Sequence, residues 1–494
     1  MTALEEGSNQ TQAAPPVQSP ILEDTEISAL LSKVDQAGIP YVSWKNNHEL
    51  ETYLQGHGDL DVFVKPDRRA AFVTVALQEG WVELENPVAR FPSVCHLFRA
   101  GSNGRLYHLH VYFRVVTGES WLKEYILPLD DFLLSNRERS RNTGIWVLNG
   151  EAQRYLFALR HLLKGGSISS RWLYRRELAS YRHEWAACGG PEGWTPDAGP
   201  VELSCYLTKA NLYGDKIRLP SVGAALRLRH SLWPFLRVAG WTLSARRVVS
   251  FLMRAANKVF WKQKKVFPRG GLVIAISGVD GAGKSTMLRV MREFFSGFVT
   301  VEPYQLGRPQ GRILEFARRL VARRRRGGDG RAGRASSNRA TSFPRAVAAS
   351  VLAWVRLRTA QRAVRAARRG RLVLVDRWPS AELGKMDGPR IAPGNSSPQR
   401  MVEGLGRFER WAYSRMPRAD VCVVLTVSLE SALARNRDRV KEEKESDEDI
   451  RRRFGENQAV KPIANKVIRF CNEGEFDVMR EQLTETIWAE VACH

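Results

Sequence analysis

The sequence predicts an α/β protein, with a doubly wound parallel sheet in the C-terminal half, a smaller α+β domain at the N-terminus and a helical connector between them. Three observations lead there. Residues 271–290, GLVIAISGVDGAGKSTMLRV, pass from a continuous apolar run through a glycine-rich turn into a helical pattern, the order expected of a strand buried on both faces and followed by a helix. Two more apolar runs, GRLVLVDRWPS and RADVCVVLTVS, each follow a helix-length segment. Between residues 21 and 142, short runs such as LDVFV and YHLHVYFRV alternate with the helical DRRAAFVTVALQEG, the mark of a small mixed sheet.

Size and composition set the frame. At 494 residues and 44% apolar content the chain has room for two or three packed domains. Its net charge of +24 is uneven: residues 1–150 hold 13 Lys and Arg against 19 Asp and Glu, leaving 63 against 33 for the rest. The basic character therefore belongs to the later two-thirds. Cysteines at 95, 188, 205, 422, 471 and 493 form no CxxC pair and no metal spacing, and no signal peptide is evident. They read as reduced thiols of a cytoplasmic protein. No apolar run approaches the roughly 18 to 20 residues of a spanning helix, so any membrane contact is peripheral, at the inner face.

Along the chain, residues 1–22 are polar and Pro/Gln-rich and are expected to be a disordered tail. Residues 23–150 form the α+β domain, and 151–268 the basic, helical connector. In the connector, AQRYLFALRHLLKGG ends on a glycine pair suited to a helix C-terminus. Its later part has no acidic residue between Asp215 and Asp280. There Trp241, Ala245, Val248, Val249, Leu252, Ala256, Val259 and Phe260 mark a helical stripe interleaved with Arg246, Arg247, Arg254, Lys258 and Lys262. Two readings stand: a helix packed on the protein, or a surface helix over 226–265 lying on anionic lipid. Residues 269–494 form the sheet domain, interrupted by an Arg-rich insertion at 323–345. From Arg318 to Arg371 there are 17 arginines and one acid, Asp329, read as a loop plus the exposed face of a helix. Nucleic acid is not the expected partner, because no aromatic residues interleave with these charges.

The chemistry centres on Gly278-Val279-Asp280-Gly281-Ala282-Gly283-Lys284-Ser285, which satisfies GxxxxGK[ST] between a strand and a helix. Such a loop wraps phosphates with backbone N–H groups from Gly278 to Thr286. Lys284 supplies charge to the β/γ-phosphates, Ser285 offers an oxygen to Mg²⁺, and the helix N-terminus favours the anion. The expected ligand is ATP. Further on, a buried strand ends at Asp376 and Arg377, where open parallel sheets place their ligands. A carboxylate there suits Mg²⁺ or an acceptor oxygen, and an arginine suits a second phosphate. Arg435, Arg437 and Arg439 follow the next strand, at the place of a lid.

With GVDGAGKST, the VDRW strand end, FERWAYSRMPRADVCVVLTVS and ALARNRDR together, residues 271–480 resemble the thymidylate kinase family of P-loop kinases. The resemblance implies that Asp280 approaches an acceptor sugar, while Asp376 and Arg377 serve catalysis and bind the acceptor phosphate. Gly281 stands where some members carry an arginine, so the moving charge falls to Arg435, Arg437 or Arg439. The family's acceptor-arginine segment is replaced by EPYQLGRPQG, in which Arg308 is the candidate.

In the first domain Asp59 and Asp61 lie two apart on a strand, hence on one face and about 7 Å apart. Such a pair suits a shared divalent metal, and an ordinary exposed strand shows the same alternation. WKNN, GDLDVFV and LHVYFRV resemble an uncharacterised branch of the nucleotidyltransferase superfamily over residues 25–180. Its Gly-Ser pair is missing, and His108 and His110 stand where a third carboxylate is usual. The domain is thus an enzyme or a degenerate binder of nucleotides or sugars. The expected activity of the whole is transfer of the γ-phosphate of ATP to a nucleoside monophosphate such as dTMP. Alternatives are a sugar or lipid-linked saccharide as acceptor, or an ATP-binding regulator that contacts nucleic acid.

Overall fold

The computed structural model describes residues 25–101, 104–118, 122–164, 168–190, 199–200, 220–237, 240–307, 342–392, 400–437, 447–457 and 460–494. The 1–22 tail, Arg308, Arg439, the glycine pair at 165–166 and most of the 323–345 insertion lie outside these residues. Two compact units interleave along the chain. One comprises residues 1–72, 113–115 and 127–232, the other residues 73–112, 116–126 and 233–494.

The early strands are β1 (Tyr41–Ser43), β2 (Asp59–Val64), β3 (Val82–Leu84), β4 (Val94–Ala100), β5 (Leu106–Tyr112), β6 (Val115–Thr117), β7 (Tyr125–Leu127), β8 (Arg137–Arg139) and β9 (Trp146–Leu148). In the first unit β1 runs antiparallel to β2 and parallel to β9, and β9 is antiparallel to β8. The helix Glu26–Gln36 is started by Thr25, whose hydroxyl accepts the Ser28 N–H at 3.2 Å. It buries Ile27, Leu30, Leu31 and Val34 at helical spacing. The helix Gly150–Lys164 likewise buries Tyr155, Leu156, Leu159, Leu162 and Leu163.

In the second unit β3, β4 and β5 form an antiparallel meander. Beside it stands a sheet of β10 (Val273–Gly278), β11 (Val301–Gln305), β12 (Leu372–Asp376), β13 (Ala419–Thr426) and β14 (Ala464–Cys471), in the order β11-β12-β10-β13-β14 with every pairing parallel. The doubly wound parallel sheet read from the apolar runs is therefore present. Its three central strands, β10, β12 and β13, alternate strictly. Ile274, Ile276, Leu372, Leu374, Val421 and Val423 point into one core with Met287, Met291, Phe295, Leu483 and Ile487. Val273, Ala275, Val373, Val375, Cys422 and Val424 point into the other, where Ala353, Leu357, Ala360, Ala363 and Ala367 of the helix Phe343–Arg368 approach. The alanine face lets that long helix sit close on the sheet. Because β10 is central and the chain winds away from it in both directions, the crevice opens at the C-terminal ends of β10, β12 and β13.

The meander packs on the same core. Val82, Leu84 and Phe98 join it, Trp488 donates its indole N–H to the Gly80 carbonyl at 3.2 Å, and Glu85 and Val266 exchange two backbone hydrogen bonds of 2.9 Å. The connector's last helix, Gly240–Ala256, continues into a wider π-type turn over Asn257–Trp261. Of its stripe, Val248, Val249, Leu252, Val259 and Phe260 are exposed, so the reading in which this stripe packs on the protein does not hold. Among the described residues no helix is long and apolar enough to cross a membrane.

Gly278 ends β10 at φ 143°, and a Cβ there would stand 2.4 Å from the Leu425 carbonyl oxygen. Backbone cannot yield as a flexible side chain does. We therefore expect Gly278→Ala to cost about 2 kcal/mol or more through backbone strain and overpacking, read as a fall in the urea midpoint at unchanged slope.

Candidate phosphate-binding site

After β10 the chain turns through Gly281 at φ 92° and Gly283 at φ 82°, both left-handed. The helix Lys284–Ser296 then begins with Gly283 as a cap that has no side-chain hydrogen bond. Its first N–H groups are thus not met by a capping side chain, which is the state that receives an anion. Ser285 and Thr286 are exposed at this first turn, while Lys284 is buried. The Lys284 ammonium donates to the Val279 carbonyl at 2.7 Å and lies 3.7 Å from Asp280 Oδ1. The loop's lysine is folded back on its own loop.

Asp280 has a second cation. Arg377 Nη2 donates to the same Oδ1 at 2.6 Å, while Arg377 Nη1 lies 3.6 Å from Asp387 Oδ2 and donates to the Met386 sulfur at 3.0 Å. Burial disfavours the guanidinium charge, but Asp387, Asp280 and Asp376 outweigh it and raise the Arg377 pKa. Arg377 and Asp387 both have left-handed backbones, at φ 66° and 61°. Non-glycine residues hold that conformation only where surroundings over-determine it. Here the Arg377 N–H bonds the Ile276 carbonyl at 2.9 Å.

Asp387 in turn is held by Arg356, which is almost wholly buried. Arg356 reaches Asp387 Oδ1 at 2.6 Å, the Asp387 carbonyl at 3.1 Å, the Tyr413 hydroxyl at 2.8 Å, and the carbonyls of Leu306 and Gly307 at 2.9 and 3.0 Å. The charges thus run Arg356, Asp387, Arg377, Asp280, Lys284, alternating in sign. Sequence reasoning missed Arg356 by counting it with the exposed arginines of its helix. The signal was there: it lies three residues after Ala353 and four before Ala360, on the alanine face. Glu409, also buried, fixes the same loop by accepting the N–H groups of Arg390 and Ile391 at 2.9 to 3.1 Å.

Asp376 ends β12 beside Ile276 of β10 and Gln305 of β11, and its Oδ2 accepts Gln305 Nε2 at 3.4 Å. On the other side of the loop, Ala432 of the helix Leu429–Arg437 closes on Gly281, where a Cβ would meet the Ala432 carbonyl oxygen at 3.0 Å. Arg435 donates to the Asn472 carbonyl at 2.9 Å, and Asn472 donates to the Ala282 carbonyl at 2.8 Å. Arg435 therefore stands at the loop, tied there by a buried asparagine that no motif singled out. Arg437 is exposed and pairs with Asp447 at 2.8 Å, a hydrogen bond that raises its pKa. Arg308 and Arg439 lie outside the described residues, although Gly307, just before Arg308, lies against Arg377.

In the first unit Asp59 is exposed and Asp61 half-buried, on the same side of β2 as the spacing requires. Asp61 takes Lys45 as a cation at 3.5 Å. Burial lowers the Lys45 pKa to about 8, although Asp61 and Asp59 oppose it. His108 and His110 of the meander stack on His96, with ring centroids 5.3 and 4.4 Å away. Among the described residues, no group of three or more His, Cys, Asp or Glu is placed to hold a metal ion.

No family model matches the sequence, and no curated protein matches it. Among solved structures the chain is similar to a thymidylate kinase from Candida albicans, at 15% identity over 46% of this chain and 94% of that one, with a TM-score of 0.27. It is similar to a deoxyadenosine kinase from M. mycoides with bound dATP, at 13% identity, 43% and 98% coverage and a TM-score of 0.25. A thymidylate kinase from Ehrlichia chaffeensis is similar at 13% identity, 44% and 98% coverage and a TM-score of 0.24.

Arg356→Met leaves Asp387 buried without its closest cation, and we expect a loss of about 3–5 kcal/mol in urea unfolding. Lys45 gives a pH dependence. Between its folded value of about 8 and its ordinary 10.5 the unfolded chain holds the extra proton, so this residue makes stability rise with pH across that window. Lys45→Met should flatten the rise in unfolding midpoint measured from pH 7 to pH 10.

Proposed function

We propose that the second unit is an ATP-dependent phosphotransferase of thymidylate-kinase type, moving the γ-phosphoryl group of ATP to a nucleoside monophosphate such as dTMP. The observation that carries this reading is the link Lys284, Asp280, Arg377, with contacts of 3.7 and 2.6 Å across the glycine loop. A structural turn has no need of two cations converging on one loop carboxylate. A site that must grip two phosphates, one on the donor and one on the acceptor, does.

In this reading the loop N–H groups from Gly278 to Thr286 cradle the donor phosphates, and Lys284 exchanges Val279 and Asp280 for their oxygens. Arg377, kept charged by its three aspartates, forks onto the acceptor phosphate. Asp280, released from both cations, turns to the acceptor sugar. An acceptor oxygen forms the new bond to the γ-phosphorus as the bond to the bridging oxygen breaks, and ADP leaves with that electron pair. Arg435, already at the loop, carries positive charge to the moving group, with Arg437 on the same helix and Arg439 two residues further along the sequence. The hydroxyl of Ser285 and the carboxylate of Asp376 are hard oxygen donors of the kind Mg²⁺ takes. When bound, that ion neutralises charge on the phosphate oxygens.

Lys284→Ala should lower ATP-dependent phosphate transfer about a hundredfold or more, with an unchanged circular-dichroism spectrum; undiminished turnover in that variant removes the reading. The acceptor is found by presenting dTMP, other nucleoside monophosphates, sugars and lipid-linked saccharides to the wild-type protein with radiolabelled ATP. Arg377→Ala should then raise KM for the true acceptor more than KM for ATP.

A further inference from the structure

The helix Gly240–Ala256 and the turn after it turn large apolar side chains outward. Val248 is 59% exposed, Leu252 57%, Val259 62% and Phe260 78%, with Val249, Phe251 and Trp261 also more than half or half exposed. Val248, Phe251 and Leu252 share one face by their spacing of three and four. This is no frayed end. The helix is anchored along its length, with Leu243 buried and Arg247, at the edge of the exposed face, ion-paired to Glu124 at 3.6 Å. Just before the helix, Arg237 donates to the Leu122 carbonyl at 3.1 Å. The far end is also built. Asn257 donates to the Gln263 carbonyl at 2.9 Å and accepts its N–H at 3.0 Å, and Lys262 turns left-handed at φ 48°. Phe260 and Trp261 are therefore held outward by a closed turn.

Charge selects what covers such a face. Residues 216–279 contain 13 Lys and Arg and no Asp or Glu, and Arg246, Lys258 and Lys262 are exposed alongside the apolar residues. A second copy of this chain would bring like charge against like. A nucleic acid offers phosphates, and base faces for Phe260, but no hydrocarbon for the aliphatic Val248, Leu252 and Val259. A convex helix with an apolar centre and a cationic border fits a medium that has no shape of its own, with anions at its surface and hydrocarbon beneath. We propose that residues 240–262 dock this protein on an anionic lipid bilayer, lying in the interface with Val248, Leu252, Val259 and Phe260 in the acyl boundary and Lys258 and Lys262 at the headgroups.

The test is vesicle flotation of the full chain with phosphatidylcholine vesicles, with and without phosphatidylserine. Wild-type protein should rise with the phosphatidylserine vesicles and remain below with phosphatidylcholine alone. Its partition should fall when salt is raised, since surface attraction is screened. Leu252→Ser with Phe260→Ser should weaken binding roughly tenfold or more, and Lys258→Glu with Lys262→Glu should abolish the preference for phosphatidylserine. All four positions are exposed, so unfolding midpoints should match wild type and keep the result from being a folding defect. Failure of the wild type to float, or equal flotation of the serine variant, overturns the proposal. So does a wild-type dimer in light scattering that the serine variant loses, since the face would then belong to a second copy.

Discussion

Five charges in a row, Arg356, Asp387, Arg377, Asp280 and Lys284, decide the geometry at the end of the parallel sheet. No buried charge tolerates isolation, and each of these has an opposite on at least one side. The row begins on the sheet-packing face of a long helix and ends inside the glycine loop. It ties the core to the phosphate cradle through groups that cannot shift singly.

That constraint explains two local costs. Arg377 and Asp387 are both left-handed although neither is glycine, and each is pinned by partners that give back what the backbone loses. It also explains why the loop lysine is buried against Val279 and Asp280. An entering polyphosphate then competes with oxygens already in place, so binding exchanges one set of charge-assisted contacts for another. Asn472 and Arg435 brace the loop from the opposite side through the Ala282 carbonyl.

The chain interleaves two units, and the acid pair on β2 belongs to a different one from the glycine loop. Asp61 has the ammonium of Lys45, two residues past the end of the neighbouring strand β1, as its cation. The histidines of β5 stack on a histidine of β4.

By itself the sequence determined three strands of the parallel sheet, β10, β12 and β13, the loop between β10 and its helix, and the places of Lys284, Asp376, Arg377, Asp59 and Asp61. Each of these is written in contiguous residues, as an apolar run, a fixed spacing or a period of two. Tertiary structure alone decided that Arg356 is a core residue, because its partners Asp387 and Tyr413 lie 31 and 57 positions away. The same holds for Asn472, whose contact at Ala282 is 190 residues distant. It also decided which way the connector's apolar stripe faces. Helical spacing gathers Val248, Leu252 and Phe260 on one side, but only the anchoring of Leu243 and Arg247 turns that side toward solvent. Periodicity is a property of the helix, whereas its rotation about its own axis is set by what packs against it.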